Sequence, residues 1–216
     1  MLKSYPFTLA VIDLDNTLYA ANNGVFARMD QRMNTYICRE LGLQAEQANA
    51  LRLRYWQQYG STLKGLMLHH QQAAEPFLDE VHDIQAHELL TADPQLNQML
   101  TALTVTKVIH TNGTQQHAES ILTALGIRHH FARIYDIRFN DYTPKPCSDT
   151  LLQLFAAEKV AAHQALVIDD MPDNLQAAQH LGAQTAWIHQ GEKHGSHTWD
   201  MAAKSMLDLD FESQVS

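Results

Sequence analysis

FTLAVIDLDNTLY, residues 7–19, is the stretch that decides the fold of this chain. Phe7 to Ile12 is almost continuously apolar, which is typical of a parallel strand covered on both faces. Asp13 and Asp15 follow at positions i and i+2, so a bend after the strand can bring both carboxylates into one cleft. We therefore predict a buried strand whose carboxyl end carries two acidic side chains.

Three later apolar segments resemble this strand, and helical patterns separate them. The segments are Lys107 to His110, Ala165 to Ile168 and Thr185 to Ile188. One helical pattern has apolar residues at i, i+3, i+4 and i+7 and ends before Gly126, and the other lies between Pro172 and Gly182. Strands that alternate with helices predict an α/β fold with a doubly wound parallel sheet.

The region after the first strand departs from this alternation. Residues 20–95 contain no convincing strand but several helical patterns, such as Val25, Met29, Met33, Ile37 and Leu41. We predict a core made of residues 1–19 and 96–216, with a helical cap inserted at 20–95. From about Gly191 the periodicity is weak, which predicts a loop and then a short terminal helix.

Composition limits the classes of partner. Of 216 residues, 45% are hydrophobic and 18% are charged, as in a folded protein with a substantial core. The chain contains 15 Lys and Arg residues and 24 Asp and Glu residues, and the basic residues form no continuous block. This balance disfavours a nucleic-acid polymer or an anionic membrane as partner. A small phosphorylated metabolite needs only local positive charge and stays compatible with the sequence.

The cysteines and the apolar runs predict a location. Cys38 and Cys147 lie far apart, outside any metal-ligand or CxxC spacing, and read as free thiols in a reducing compartment. No stretch approaches about 20 apolar residues, the length that a membrane helix needs. We therefore predict a cytoplasmic protein that does not contact a membrane.

Further polar groups follow the later strands. Thr111, Asn112 and Gly113 offer a hydroxyl and amide donors at a strand-to-helix turn, while Asp169 and Asp170 form a second acidic pair. Taken singly, the acidic pairs and the Thr111 turn also fit plain loops or helix caps. In open α/β sheets ligands bind beyond the carboxyl ends of the strands, so these groups together predict a site there.

Two features give this site a charge balance. Lys145 stands between two prolines in a stiff segment that can aim it at one target, although an exposed loop lysine is the simpler alternative. Carboxylates that lie close together repel unless a cation neutralises them or one takes up a proton. Magnesium prefers oxygen ligands and meets this need.

In order and spacing, these motifs resemble the haloacid dehalogenase (HAD) superfamily over about residues 7–190. The resemblance implies a HAD-like Rossmannoid core, with Asp13 as nucleophile and Asp15 as general acid and base. Thr111 resembles the hydroxyl that holds a phosphate oxygen, and Lys145 resembles the family's lysine. With the amides of Asn112 and Gly113, these two residues would bind the substrate phosphate.

The resemblance also implies a metal site and a reaction class. Magnesium would be held by Asp13, by Asp170 and by the backbone carbonyl of Asp15. Asn174 would be the downstream partner of Asp170, and Asp169 would support the metal from close by. A dehalogenase expels halide without a proton, so Asp15 favours phosphate transfer. A phosphomutase uses the same pair and stays open, whereas a non-catalytic phosphometabolite-binding protein is disfavoured because the catalytic set is complete.

A narrower resemblance concerns the substrate. Residues 15–19, 59–66, 111–122 and 168–170 are similar to the pyrimidine 5′-nucleotidase branch. This implies pyrimidine nucleoside 5′-monophosphates as substrates, with sugar phosphates or other small esters as the alternative. Eight cap side chains could contact a base or sugar, or could simply be packed or solvated: Arg52, Arg54, Tyr55, Trp56, Tyr59, Lys64, His69 and His70.

Overall fold

A computed structural model describes residues 5–189 and 198–211 of the chain, and a six-stranded parallel sheet lies at its centre. The spatial order is β3-β2-β1-β4-β5-β6, with every neighbouring pair parallel. The strands are β1 Leu9–Ile12, β2 Thr106–His110, β3 Arg133–Tyr135, β4 Ala165–Asp169, β5 Gln184–Ile188 and β6 Met201–Ala203. The predicted doubly wound parallel sheet is confirmed.

Helices cover both faces of the sheet because the strand side chains alternate between the faces. Leu9 and Val11 of β1 join a hydrophobic cluster with α7 and α8, whereas Ala10 and Ile12 join a cluster on the opposite face with α5 and α6. These helices are α5 Pro94–Ala102, α6 Gln115–Ala124, α7 Ser148–Glu158 and α8 Pro172–His180. All four residues of β1 are buried, which explains its uninterrupted apolar sequence.

Five α-helices lie between β1 and β2, and we refer to the first four, which precede α5, as the inserted helices. They are α1 Val25–Leu41, α2 Ala45–Tyr59, α3 Thr62–His70 and α4 Ala74–His82. α1 packs on α2 and α4, and α2 packs closely on α3. A Cβ atom on Gly65 would lie 2.1 Å from the Tyr55 ring, so only glycine permits this approach. The boundaries of a separate cap at residues 20 and 95 stay a prediction.

The inserted helices are tied to the loop after β3 through Glu75. Arg138 donates to both carboxylate oxygens of Glu75, from Nε to Oε1 at 3.0 Å and from Nη2 to Oε2 at 2.6 Å. The Tyr142 hydroxyl donates to Oε1 at 2.6 Å. These bonds hold α4 over the carboxyl edge of the sheet.

A loop and then a short terminal helix were predicted from about Gly191, but the described residues 198–211 form a strand and a 3₁₀ turn. Residues 190–197 lie outside the described part of the chain. Within residues 198–211, β6 extends the edge of the sheet and a 3₁₀ turn follows at Met206–Asp208, and residues 212–216 also lie outside the described part of the chain. β3 and β6 each have three residues, too few for a periodic signal in the sequence. The other 3₁₀ turns are Ala21–Asn23, Ala86–Glu88, Arg128–His130 and Ala162–Gln164.

Cys38 and Cys147 are free thiols, as predicted. Within residues 5–189 and 198–211, no helix has both the length and the apolar character needed to cross a membrane.

Candidate functional site

Strand register places the candidate residues at one edge of the sheet. Ile12 at the end of β1 pairs with Ile109 of β2 and with Ile168 of β4. The residues that follow these three are therefore neighbours, and the Asp13 backbone N–H donates to the Ile168 carbonyl at 2.9 Å. β1, which lies between β2 and β4, thus places Asp13 at the carboxyl edge of the sheet, where open α/β sheets bind ligands.

Asp13 is buried and hydrogen-bonded through both carboxylate oxygens. Lys145 Nζ lies 2.6 Å from Oδ1, and the Thr17 hydroxyl donates to Oδ2 at 2.9 Å. Thr17 belongs to the stretch that predicts the fold, but its role emerges only from the bend after β1. These contacts fix the orientation of the predicted nucleophile.

Lys145 is buried, so the alternative of an exposed loop lysine is wrong. Besides Asp13, its Nζ donates to Asp169 Oδ2 and to the His110 carbonyl, both at 2.9 Å. Its backbone N–H donates to the Asn112 side chain at 2.8 Å. The Asn112 side chain therefore positions the lysine segment.

Asp169 and Asp170, the second acidic pair, have different roles, which the sequence did not reveal. Asp169 Oδ1 accepts bonds from the Met171 backbone at 2.9 Å and from Asn174 Nδ2 at 2.8 Å, while Oδ2 accepts from Lys145. Asn174, predicted as the partner of Asp170, thus bonds to Asp169. The reason is that Asp169 closes β4 and points toward the start of α8, where Asn174 lies.

Asp13, Asp169 and Asp170 bring one oxygen each within 4.8 Å of one another. Burial and the neighbouring carboxylates raise the pKa of Asp13 to about 7, against the attraction of Lys145. Burial, Asp13 and Asp169 raise the pKa of Asp170 to about 8. Among the described residues, Lys145 is the one cation paired with these three carboxylates and does not balance their charge, so the cluster fits a hard divalent cation such as Mg²⁺. The Asp15 carboxylate lies outside the cluster, which leaves its backbone carbonyl as the predicted ligand.

This charge imbalance predicts that the metal-free protein loses stability as pH rises. Both pKa values exceed the ordinary 3.8, so protonation favours the folded state, and that stabilisation is lost as pH rises through about 7 and 8. In EDTA, we expect the melting temperature to fall by roughly 5 °C between pH 6 and pH 9. Excess Mg²⁺ should reduce this fall because the cation stabilises the ionised carboxylates.

Differential scanning fluorimetry across this pH range measures the effect. Asp170→Asn removes one acid of the cluster and should flatten the pH dependence in EDTA. Asp173→Asn, an exposed position in the same segment, should not. An equal slope in the two variants would contradict the assignment of the titration to this cluster.

Asp15 has a different environment from Asp13. Its Oδ1 accepts hydrogen bonds from His117 Nε2 at 2.8 Å and from the Tyr19 hydroxyl. Burial acts to raise the pKa of this carboxyl, but His117 and Tyr19 together hold the pKa below its usual range. In the metal-free site these directions are opposite to those of an ionised nucleophile and a protonated acid, so a cation beside Asp13 and an anionic substrate beside Asp15 would have to reverse them.

The Thr111 turn lies beside the acidic groups, as predicted. Thr111 is buried, and its Oγ1 accepts a hydrogen bond from the Gly113 backbone at 2.9 Å. The Gly113 amide is thus directed at this hydroxyl. A Cβ atom at Gly113 would lie 2.9 Å from the His117 ring and 3.3 Å from the Thr111 hydroxyl, so glycine is needed for close packing here.

A cavity of about 410 Å³ opens above these groups, between the sheet edge and the inserted helices. Its floor is formed by Asp13, Asp15, Thr111, Asn112, Gly113, Lys145 and Asp170. Its opposite wall is largely apolar, with Phe26, Met29, Leu53, Trp56, Leu63 and Phe77, and has polar groups at Asp30, Arg52, Ser61 and Thr62. A small molecule with one anionic end and one mostly apolar end fits this division.

Of the eight side chains considered in the cap, Arg52 and Trp56 line the cavity. Tyr55 is buried between α2 and α3, and its hydroxyl bonds to His70 at 2.8 Å. Tyr59 bonds to His69 at 2.6 Å. The remaining two, Arg54 over the Tyr55 ring and half-buried Lys64, are not among the lining residues.

No sequence pattern pointed to two residues of the site, His117 and His82. His117 lies in the first turns of α6, and His82 ends α4, with their ring centroids 4.7 Å apart. Histidine spacing could not reveal them because 35 positions separate the two residues in sequence. Only the packing of α4 over the sheet edge brings them together.

Comparison with known proteins agrees with this architecture. A family model for haloacid dehalogenase-like hydrolases matches residues 7–182. Phosphate metabolism protein 8 of Saccharomyces cerevisiae is 26% identical over 191 residues, which are 79% of this chain and 58% of that protein. The chain therefore spans somewhat more than half the length of this curated relative.

Two solved structures illustrate the similarity of fold. A HAD phosphatase from Thermococcus onnurineus has a TM-score of 0.65 at 16% identity, covering 92% of this chain and 94% of that one. A 2-haloacid dehalogenase from Pseudomonas syringae pv. Tomato DC3000 has a TM-score of 0.60 at 20% identity, with the same coverage. The shared fold thus serves two reaction classes, and the site residues have to separate them.

Proposed function

This chain belongs to the haloacid dehalogenase-like hydrolase family, and on that premise we propose that it is a magnesium-dependent phosphomonoester hydrolase that acts through an aspartyl-phosphate on Asp13. The observation that carries the proposal is the pair of carboxyls on the cavity floor. Asp13 is held by Lys145 and Thr17, whereas Asp15 is held by two separate donors, His117 and Tyr19. This arrangement supplies a nucleophile and an independent proton-transfer group.

In the proposed first step, an Asp13 carboxylate oxygen attacks phosphorus and the bond to the leaving oxygen breaks. Asp15 gives its proton to that oxygen, which leaves as an alcohol. The negative charge of the substrate phosphate raises the proton affinity of Asp15, so the carboxyl takes up a proton when substrate binds. Water then hydrolyses the aspartyl-phosphate, with Asp15 as base.

Thr111, the Asn112 and Gly113 backbone amides and Lys145 would bind the phosphate oxygens and stabilise their charge during transfer. The Gly113 amide now bonds to Thr111, so it would have to exchange that bond for one to phosphate. Asp13, Asp170 and the Asp15 carbonyl would hold Mg²⁺, which when bound withdraws charge from the phosphate. The acidic cluster supports the metal-binding role of Asp13 and Asp170, whereas that of the Asp15 carbonyl rests on the family resemblance.

We propose pyrimidine nucleoside 5′-monophosphates as substrates. The sequence similarity to nucleotidases in residues 59–66 supports this, because Gly60, Ser61, Thr62 and Leu63 line the cavity. Trp56 offers an aromatic face, and Arg52 offers donors for a base or sugar. The cavity volume of about 410 Å³ falls within the range of small-molecule sites. Sugar phosphates are the second candidate, since the same polar groups can bind hydroxyls.

Dehalogenation is the alternative reaction in the family. Halide leaves without a proton, so a dehalogenase has no need for the acid Asp15 with its two donors. A phosphomutase would use the same residues but would return the phosphoryl group to a second hydroxyl of the substrate. Phosphate release therefore separates a hydrolase from a mutase.

The test is phosphate release from a panel of nucleoside monophosphates and sugar phosphates, with Mg²⁺ or with EDTA. We expect Mg²⁺-dependent release, fastest with uridine and cytidine monophosphates. A preference for sugar phosphates would support the same mechanism but would contradict the proposed nucleotide substrate. Halide release from a 2-haloacid without phosphate release would overturn the proposal.

A further inference from the structure

We propose that His117 is a positioning residue that orients the Asp15 carboxyl for proton transfer to the leaving group. This inference rests on the proposed phosphatase function and extends it to a residue that contacts neither phosphate nor metal in that mechanism. Its basis is the direct bond at 2.8 Å from the buried His117 Nε2 to Oδ1 of Asp15, a residue of the cavity floor.

The direction of the two bonds to Asp15 carries the argument. His117 and Tyr19 both donate to Oδ1, and neither bonds to Oδ2. A carboxyl held by two donors on one oxygen cannot rotate freely, so Oδ2 becomes the oxygen that faces the substrate. Orientation of an acid toward the reacting atom contributes directly to rate.

The surroundings of His117 hold its ring in this position. Its side chain is fully buried, and its backbone N–H donates to the hydroxyl of Thr114, the N-cap residue of α6, at 3.1 Å. The His82 ring packs on it from α4, and Gly113 leaves room for both rings. Among the described residues, His117 Nδ1 is buried without a hydrogen-bond partner, so Asp15 is the only hydrogen-bond partner of the ring. A buried imidazole with this single hydrogen bond indicates a role toward Asp15.

The experiment compares two leaving groups. Uridine 5′-monophosphate loses an alkoxide that needs a proton, whereas 4-nitrophenyl phosphate loses a phenolate stable enough to leave without one. We measure kcat/KM, which covers the steps up to departure of the leaving group, for wild type and for His117→Leu. Leucine keeps an apolar filling of the site and removes the donor. Thermal unfolding confirms that each variant folds.

We expect His117→Leu to lower kcat/KM by about 100-fold for uridine 5′-monophosphate and by less than about threefold for 4-nitrophenyl phosphate. His117→Gln places an amide donor near the position of Nε2 and should restore most of the loss. The double variant with Asp15→Asn should be no slower than Asp15→Asn alone, because both changes remove one function. His130→Leu removes a histidine bond to Asn97 elsewhere and should change neither substrate's rate.

Equal losses on the two substrates, or additive effects of the His117 and Asp15 changes, would overturn this inference and leave the phosphatase proposal standing. No phosphate release by wild type from either substrate would overturn the phosphatase proposal and this inference with it.

Discussion

Asp13→Asn is expected to lower Mg²⁺-dependent phosphate release by about 10⁴-fold or more. The amide has nearly the shape of the carboxyl but lacks the anionic oxygen that attacks phosphorus. It also loses the charge that pairs with Lys145 Nζ at 2.6 Å. Because Asp169 still pairs with Lys145, the lysine keeps one anionic partner and the variant should fold.

An acid-quenched reaction with a ³²P-labelled substrate measures this prediction. Wild type should carry covalent label that hydroxylamine removes, and Asp13→Asn should carry none. Asp141→Asn is the matched control, because Asp141 is exposed and its backbone φ of 50° suits asparagine equally well. Label retained in Asp13→Asn would place the nucleophile on another residue.

Lys145→Met is expected to affect stability as well as activity. The change removes the buried cation that bonds to Asp13 and Asp169, and no other Lys or Arg of the described residues forms an ion pair with this acidic cluster. Breaking a buried ion pair from one side costs about 3–5 kcal/mol, so we expect a loss of that size in EDTA at pH 8. Phosphate release should fall by about 10²–10³-fold, because charge on the transferring oxygens loses one stabilising group.

Urea unfolding with EDTA or Mg²⁺ tests the origin of this loss. Mg²⁺ should restore part of the stability of Lys145→Met, since the cation can neutralise the same carboxylates. Lys107→Met is the control: Lys107 is also buried, but its Nζ donates to the backbone carbonyls of Leu103 and Val105. Its loss in stability should not respond to Mg²⁺. The same response in both variants would contradict a specific role for Lys145 in the acidic cluster.

The apolar runs allowed the main strands to be predicted because buried parallel strands leave a continuous signal. β1, β2, β4 and β5 lie within one or two residues of their predicted limits. The sequence patterns did not predict the strands β3 and β6 or the helices α5 and α7. Short edge strands are defined by their pairing partners, which single-sequence patterns do not contain.

The candidate site was predictable where each residue follows a strand directly. Asp13, Thr111 and Asp170 belong to local motifs, and the parallel register brings them to one edge. The partner of Asn174 could not be assigned because it depends on which oxygen of the acidic pair faces α8. One donor to Asp15, Tyr19, lies four positions away in the same motif, but the other, His117, lies 102 positions away and could not be assigned from the sequence.

The sequence by itself determined the alternation of strands and helices, the insertion after β1 and the polar groups that follow the strands. These depend on hydrophobic periodicity and on local order along the chain. Only the tertiary structure decided which oxygen each donor binds, how Lys145 divides its bonds between two aspartates, and that His82 and His117 meet beside Asp15. The physical reason is that hydrogen bonds and charge balance depend on distances of a few ångströms between residues far apart in sequence, and those distances are set by packing.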